Sequence, residues 1–297
     1  MSDQIFQCLA SYGGYIDLRG IYSLLASQSK YRCRALHAAP KLDPFERDDQ
    51  VNIIQGFPAQ VVVGQTQLTD PSTPSPASSL AGFNLALHVG DNPERVHQHR
   101  MQLLSQLAPL GAKRLTWMNQ IHSTDVSRVD ETVHMSALSG DALISTEVGH
   151  GLMMMTADCL AIVLCNAEGT EVANLHAGWR GLANGVIQHT VAAMSTPVAY
   201  AWMGVAISQT HFEVGAEVRE IFLAQNPNYD VHFKAGLPNK YDADLYGIAR
   251  DILTACGVKH LMGGNDCSYA NPNYYSYRRD AKAGRMASFV FIRACDF

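Results

Sequence analysis

From Arg114 to Leu175 the sequence is a succession of short apolar or β-branched runs. They cover Arg114 to Met118, Val126 to Val129, Asp141 to Ser145, Leu152 to Thr156, Leu160 to Cys165 and Thr170 to Leu175. Runs of this kind, bounded by polar and turn residues, read as strands. The turn Asn166-Ala167-Glu168-Gly169 joins the last two as an antiparallel hairpin. Few helices intervene, so a uniform doubly wound parallel sheet, which needs a crossover helix after each strand, does not fit. The expected class is α+β.

Strands are also expected over Ala59 to Thr66, Tyr200 to Val205, Lys259 to Met262 and Ala287 to Ile292, and helices over Glu94 to Leu107, Leu182 to Met194, Val214 to Ala224 and Asp244 to Ala255. The first of these helices is signalled by Asn92 as N-cap, Pro93 at the first helical position and Glu94 in the first turn. Gly257 closes the last one. Residues 1–50 stand apart as an N-terminal extension, with a short helix expected over Ile16 to Leu25 and a linker from Pro40 to Gln50. The remainder, 51–297, reads as one domain. Within it, Leu68 to Leu80 is rich in Pro, Ser and Thr, the composition of a surface loop.

A chain of 297 residues with 47% hydrophobic residues has enough apolar side chain for an ordinary core. A net charge of -5 and no Lys/Arg run interleaved with aromatics give no nucleic-acid footprint. Apolar runs fall well short of the roughly 20 residues of a membrane span, and the N-terminus lacks a secretory pattern. Cytoplasmic residence is therefore expected. Seven cysteines without a C-x-x-C pair indicate neither a disulfide framework nor a zinc finger.

The chemistry concentrates at three strand ends. Glu171 to Leu175 delivers His176 to the turn Ala177-Gly178-Trp179-Arg180-Gly181. Two glycines there permit close backbone approach, and Arg180 with the following helix start favours an anion. His122 follows the run ending at Met118, and Cys159 lies in Thr156-Ala157-Asp158-Cys159-Leu160. Together, His122, Cys159 and His176 are the donor types of a catalytic zinc site with three protein ligands. The same residues also suit a metal-free arrangement, with Cys159 as nucleophile and a histidine as its base. Asp141 and Asp158 are candidates for a base or for orienting a histidine. Arg278, Arg279 and Arg285 are candidates to complete an anion site with Arg180. His97 and His99, two apart on a helix, point in nearly opposite directions and cannot chelate one ion.

The motifs Asn119-Gln120-Ile121-His122, Thr156-Ala157-Asp158-Cys159-Leu160, His176-Ala177-Gly178-Trp179-Arg180-Gly181 and Tyr277-Arg278-Arg279-Asp280 together resemble the YfiH-like, laccase-domain family. So do Phe83-Asn84-Leu85, Gly90-Asp91-Asn92-Pro93, Phe212-Glu213-Val214-Gly215 and Gly284-Arg285-Met286-Ala287-Ser288-Phe289, so that the likeness runs from about Ala59 to Ile292. It implies a single domain of mixed β-sheets packed together and flanked by helices. It also implies zinc held by His122, Cys159 and His176, with copper as a competing metal. The implied activities are phosphorolysis of adenosine, inosine and methylthioadenosine, adenosine deamination, copper-dependent phenol oxidation, and editing of a peptidoglycan precursor. One departure falls near the expected site: Gln67 stands where the family often carries an arginine. A further reading, a binding or scaffold protein with a residual zinc site, follows from that loss. Purine nucleosides and phosphate are the expected small-molecule partners.

Overall fold

The computed structural model describes residues 15–17, 51–68, 80–130 and 138–293. Two six-stranded mixed sheets dominate them. The first is built from β1 (Tyr15–Asp17), β2 (Val51–Ile54), β3 (Val61–Thr66), β4 (Arg114–Thr116), β9 (His150–Thr156) and β17 (Met286–Ile292), in the order β1-β4-β9-β17-β3-β2. The second contains β6 (Val126–Arg128), β8 (Ala142–Ser145), β10 (Leu160–Asn166), β11 (Val172–Ala177), β12 (Val198–Met203) and β16 (His260–Gly263), in the order β16-β12-β10-β11-β8-β6. β5 (Met118–Gln120) and β7 (Leu138–Gly140) form a separate parallel pair. β13 (Glu213–Gly215), β14 (Phe233–Ala235) and β15 (Lys240–Ala243) form a small antiparallel sheet.

The period of two along each central strand explains how the sheets stack. Val61, Val63, Leu152, Met154, Val290 and Ile292 of the first sheet pack against Ala161, Val163, Cys165 and Val172 of the second. The alternate residues Val62, Met153, Met155, Phe289 and Phe291 face the other way, onto Leu103, Leu104 and Leu107 of helix α1 (Pro93–Leu107). In the second sheet, Leu160, Ile162 and Leu164 likewise turn outward. They meet α2 (Trp179–Asn184), α3 (Val186–Ala193) and α5 (Leu245–Ala255) through Leu182, Ile187, Ile248 and Leu253. Helix α4 (Ala216–Gln225) adds Val218 and Phe222 to the same core. Strands buried on both faces are apolar throughout rather than alternating, as residues 152–155 and 160–165 are. Between the sheets, the buried Asn174 amide donates to the carbonyls of Leu152 (3.0 Å) and Ser288 (3.1 Å), a polar tie across the apolar interface.

The expected α+β class and most elements are present, with local differences. The helix expected over Leu182 to Met194 starts earlier and breaks into α2 and α3 at Gly185, whose φ of 90° no helix accommodates. The strand expected over Arg114 to Met118 ends at Thr116, and Met118 begins the separate β5. Val214 lies in β13, so α4 begins only at Ala216. Ile16 and Asp17, placed in a helix by their pattern, are strand residues paired antiparallel with β4. The rest of that segment lies outside the described residues, as do residues 69–79 of the expected Pro/Ser/Thr-rich loop. At the N-terminus of α1, the Asn92 side chain accepts from the Glu94 and Arg95 N–H groups as its sequence indicates.

His150 is fully buried in β9, where Nε2 shares a hydrogen bond with Thr116 Oγ1. Burial, with Arg114 nearby and against the pull of Asp130, brings its pKa down to about 3. The unfolded chain takes up this proton below about pH 6.5, whereas the folded chain stays neutral until about pH 3. Stability is thus expected to fall with falling pH across that window, by up to about 1.4 kcal/mol per pH unit from this residue. His150→Gln should flatten the Tm-versus-pH curve between about pH 4 and 6.5, measured by thermal denaturation. An unchanged slope would remove His150 as the cause.

Candidate metal centre

β9 ends at Thr156, a tight turn carries Asp158 and Cys159, and β10 returns antiparallel to β11, with Leu160 opposite Ala177. The penultimate residue of β11 is His176, so the strand runs two residues beyond the expected Leu175 and holds this ring rigidly. His176 Nδ1–H donates to Asp141 Oδ1 at 2.8 Å, and the His176 N–H donates to the Asp141 carbonyl at 2.8 Å. With Nδ1 so committed, Nε2 is the nitrogen available as a metal donor once it gives up its proton.

His122 enters from the third side, in the loop after β5. Gln120 anchors that loop by donating to the Met155 carbonyl and accepting from the Met155 N–H, both at 2.8 Å. Asp141 Oδ2 accepts from the N–H groups of Ile121 (3.2 Å) and Ser123 (2.6 Å). Between those two residues His122 adopts φ 59°, a left-handed conformation that a non-glycine residue holds only when its surroundings enforce it. Asp158, next to Cys159, is also left-handed at φ 89°. Its carboxylate accepts from Ser268 Oγ and the Arg278 N–H, both at 2.6 Å. Asp141 is thus the orienting carboxylate, and Asp158 braces the turn that presents the thiol.

The ligand atoms of His122, Cys159 and His176 all lie within 4.8 Å of one another. The two imidazoles meet edge to face with centroids 4.8 Å apart. Gly178 leaves room beside them: a Cβ there would sit 3.0 Å from Cys159 Sγ and 3.3 Å from His122 Cδ2. Burial pushes the Cys159 thiol up, but His176 and His122 outweigh it and bring it below its ordinary value. His176 is moved the other way: burial lowers it, and Cys159 and Asp141 more than offset that. Asp141 is held low because its hydrogen bonds from His176, Ser123 and Ile121 exceed the cost of burial. A thiolate beside two imidazoles is a donor set for a soft or borderline transition-metal ion, and its spacing and the space over Gly178 fit one.

The arginines are placed less simply. Arg180 is exposed, with its guanidinium 4.3 Å from the Trp179 ring centroid. Arg278 donates through its side chain to the His211 and Glu213 carbonyls, and Arg279 to those of Ser268, Tyr269 and Tyr274. Arg285 Nη1 donates to the Ala283 and Gly284 carbonyls; burial lowers its pKa, and Cys159, Asp158 and Tyr277 oppose the shift. Its guanidinium lies 5.8 Å from the ring of Tyr277, which is 55% exposed. Gln67 is buried, and its Oε1 has no hydrogen-bond partner among the described residues. Away from the centre, His99 bonds the Asn84 carbonyl and packs on Phe83.

Residues 72–293 match the family model described as multi-copper polyphenol oxidoreductase laccase. The chain belongs to the YfiH-like, laccase-domain family. Among its relatives are the purine nucleoside phosphorylases YfiH of Shigella flexneri and of Escherichia coli. Each is 42% identical over 214 residues, covering 71% of this chain and 86% of the relative. A purine nucleoside phosphorylase of Pseudomonas aeruginosa is 37% identical over 240 residues, covering 80% of this chain and 95% of its own. Of solved family structures, a Neisseria meningitidis protein superposes with TM-score 0.76 at 36% identity, covering 82% of this chain and all of that one. YlmD from Geobacillus stearothermophilus gives TM-score 0.71 at 28% identity, covering 80% of this chain and 93% of its own.

Because Asp141 fixes the tautomer of His176 and the backbone on both sides of His122, Asp141→Asn should weaken metal binding by roughly 10–100-fold. Competition with a chromophoric chelator measures this. Unchanged affinity would mean that the donors are positioned without the carboxylate.

Proposed function

We propose that the protein is a zinc-dependent purine nucleoside phosphorylase that cleaves adenosine, inosine and S-methyl-5'-thioadenosine and deaminates adenosine at the same site. The observation that carries this reading is the His122, Cys159 and His176 cluster braced by Asp141, in a chain 42% identical to proteins named purine nucleoside phosphorylase. In phosphorolysis a phosphate oxygen forms a bond to C1' of the sugar, the bond from C1' to the purine nitrogen breaks, and the leaving base gains a proton. The products are the free base and ribose 1-phosphate, or its 5'-thio analogue.

His122, Cys159 and His176 would hold the zinc, which would supply Lewis-acid polarisation. Asp141 keeps the Nδ1 proton on His176 and so keeps Nε2 as a donor. Arg285 supplies positive charge beside Cys159 and suits the phosphate. The exposed Tyr277 ring offers an apolar face to a purine. Copper competes for the same donors, which accounts for an oxidase description of such a family. Oxygen reduction by a multicopper centre needs many more histidines than the one cluster found among the described residues.

The lowered Cys159 thiol beside His176 favours a second reading, a Cys-His amidase acting on a peptidoglycan precursor. Cytoplasmic residence suits either substrate class. Among the described residues, no helix is long and apolar enough to cross a membrane.

Purified protein should contain about one zinc per chain and release hypoxanthine from inosine only when phosphate is present. Chelation should abolish the release, and His122→Ala should lower it by about 100-fold or more. Base release that survives chelation but not thiol alkylation would replace this reading with the Cys159 hydrolase. Within the phosphorylase reading, Arg285→Gln should raise the KM for phosphate by about tenfold while leaving that for inosine nearly unchanged. Equal effects on both constants would remove Arg285 from the phosphate subsite.

A further inference from the structure

A second cluster of reactive side chains lies outside the metal centre, where the segment after β12 meets the segment after β16. Cys267 Sγ accepts from Ser208 Oγ at 3.1 Å and from the Ser208 N–H at 3.3 Å, and His211 Nδ1 lies 3.5 Å from it. The His211 ring is stacked on Tyr269 with centroids 4.7 Å apart, and its Nδ1 also meets Ser208 Oγ (3.2 Å) and Thr210 Oγ1 (3.1 Å). Cys267, Ser208 and His211 are half-buried, and Tyr269 is 36% exposed, so the cluster lies at the surface rather than in the core. The other thiols described away from the metal centre differ. Cys165 is enclosed between the two sheets, and Cys256, half-buried like Cys267, packs on the helix-side core, where burial raises its thiol.

We propose that Cys267 is a peroxide-reactive thiol whose oxidation is transmitted to the metal centre through Asp158. The sulfur, as thiolate, attacks one oxygen of a hydroperoxide. An S–O bond forms, the O–O bond breaks, and the leaving hydroxide or alkoxide takes a proton from the His211 ring or from water. Sulfur loses two electrons to the peroxide, and the product is a sulfenic acid. Burial acts against the thiolate here. The hydrogen bonds from Ser208 and from the N–H groups of Tyr269 and Ala270 outweigh it and hold the thiol below its ordinary pKa.

The transmission follows from what the two segments grip. The Ile207 N–H donates to the Asp158 carbonyl (2.9 Å), and Ser268 Oγ donates to the Asp158 carboxylate (2.6 Å). Each of these residues is the chain neighbour of one member of the cluster. Arg278 adds a third link, with its N–H on Asp158 and its guanidinium on the His211 carbonyl (3.4 Å). An added oxygen on Sγ has to separate Ser208 and His211 from Cys267. That movement loosens the holds of Ile207 and Ser268 on Asp158, whose left-handed backbone sets the position of Cys159.

The test exposes full-length, zinc-loaded protein to hydrogen peroxide at neutral pH, traps sulfenic acid with dimedone, and follows each cysteine by mass spectrometry. Cys267 should label at least about tenfold faster than Cys256, and His211→Gln should slow it severalfold. Zinc release, read with a chromophoric chelator, should follow Cys267 labelling in the wild type and be slowed in Cys267→Ser. Labelling of Cys267 no faster than that of Cys256 overturns the reactive site. Equal zinc release from wild type and Cys267→Ser overturns the link to Asp158. Neither readout depends on turnover of a nucleoside.

Discussion

A single buried carboxylate organises the candidate metal centre. Asp141 has no solvent exposure, and one oxygen takes the His176 ring proton while the other takes two N–H groups flanking His122. Its own carbonyl accepts from the His176 N–H, and its N–H donates to the Asp125 carbonyl at 3.1 Å. Burying an unpaired carboxylate is strongly unfavourable, and hydrogen bonds to a charged group contribute about 1.5–3 kcal/mol each. The charge is therefore tolerated only with all three donors in place. Neutralising it leaves those donors without a full partner and frees two of the three candidate metal donors at once.

The sheet packing decides why the centre forms where it does. β9 ends at Thr156, β10 begins at Leu160, and β11 ends at Ala177, so three central strand termini lie at one end of the two-sheet core. β17 begins at the same end, with Met286 opposite Thr156, which brings Arg285 and the 277–279 segment to the site from far along the chain. Residues 152–155 and 160–165 are buried on both faces and make this end stiff. The polar turns between such strands are the positions free to carry chemistry.

That division explains what could be read from sequence. The apolar runs, the hairpin at 166–169 and the cap of α1 are local signals, and each is found in the structure. The three donors stood out because polar residues interrupt apolar strands at His122, Cys159 and His176. The role of Asp141 was harder to read, since its bond to His176 spans 35 residues of sequence and nothing local separates an orienting carboxylate from a turn aspartate. Arg180 is marked by its glycine-flanked turn, and its guanidinium is exposed and lies over the ring of its neighbour Trp179. Arg285 is a sequence candidate only as one of several arginines before the last strand. Its place depends on the antiparallel pairing of β17 with β9, which no short-range pattern encodes.

Two donors are presented by backbone in an unfavourable region: His122 is itself left-handed, and Cys159 follows left-handed Asp158. Each such residue costs about 1–3 kcal/mol, and each is held by hydrogen bonds from a distant element, Asp141 for the first and Ser268 with Arg278 for the second. The fold's own hydrogen bonds therefore help bring the donors together. A preformed set of two imidazoles and a thiolate suits both zinc and copper and has no strong means of excluding either, because affinity alone favours copper over zinc. A family description naming copper oxidation and relatives named for phosphorolysis are thus compatible with one centre. Which metal reaches it then depends on what the surroundings supply rather than on a difference in the ligands.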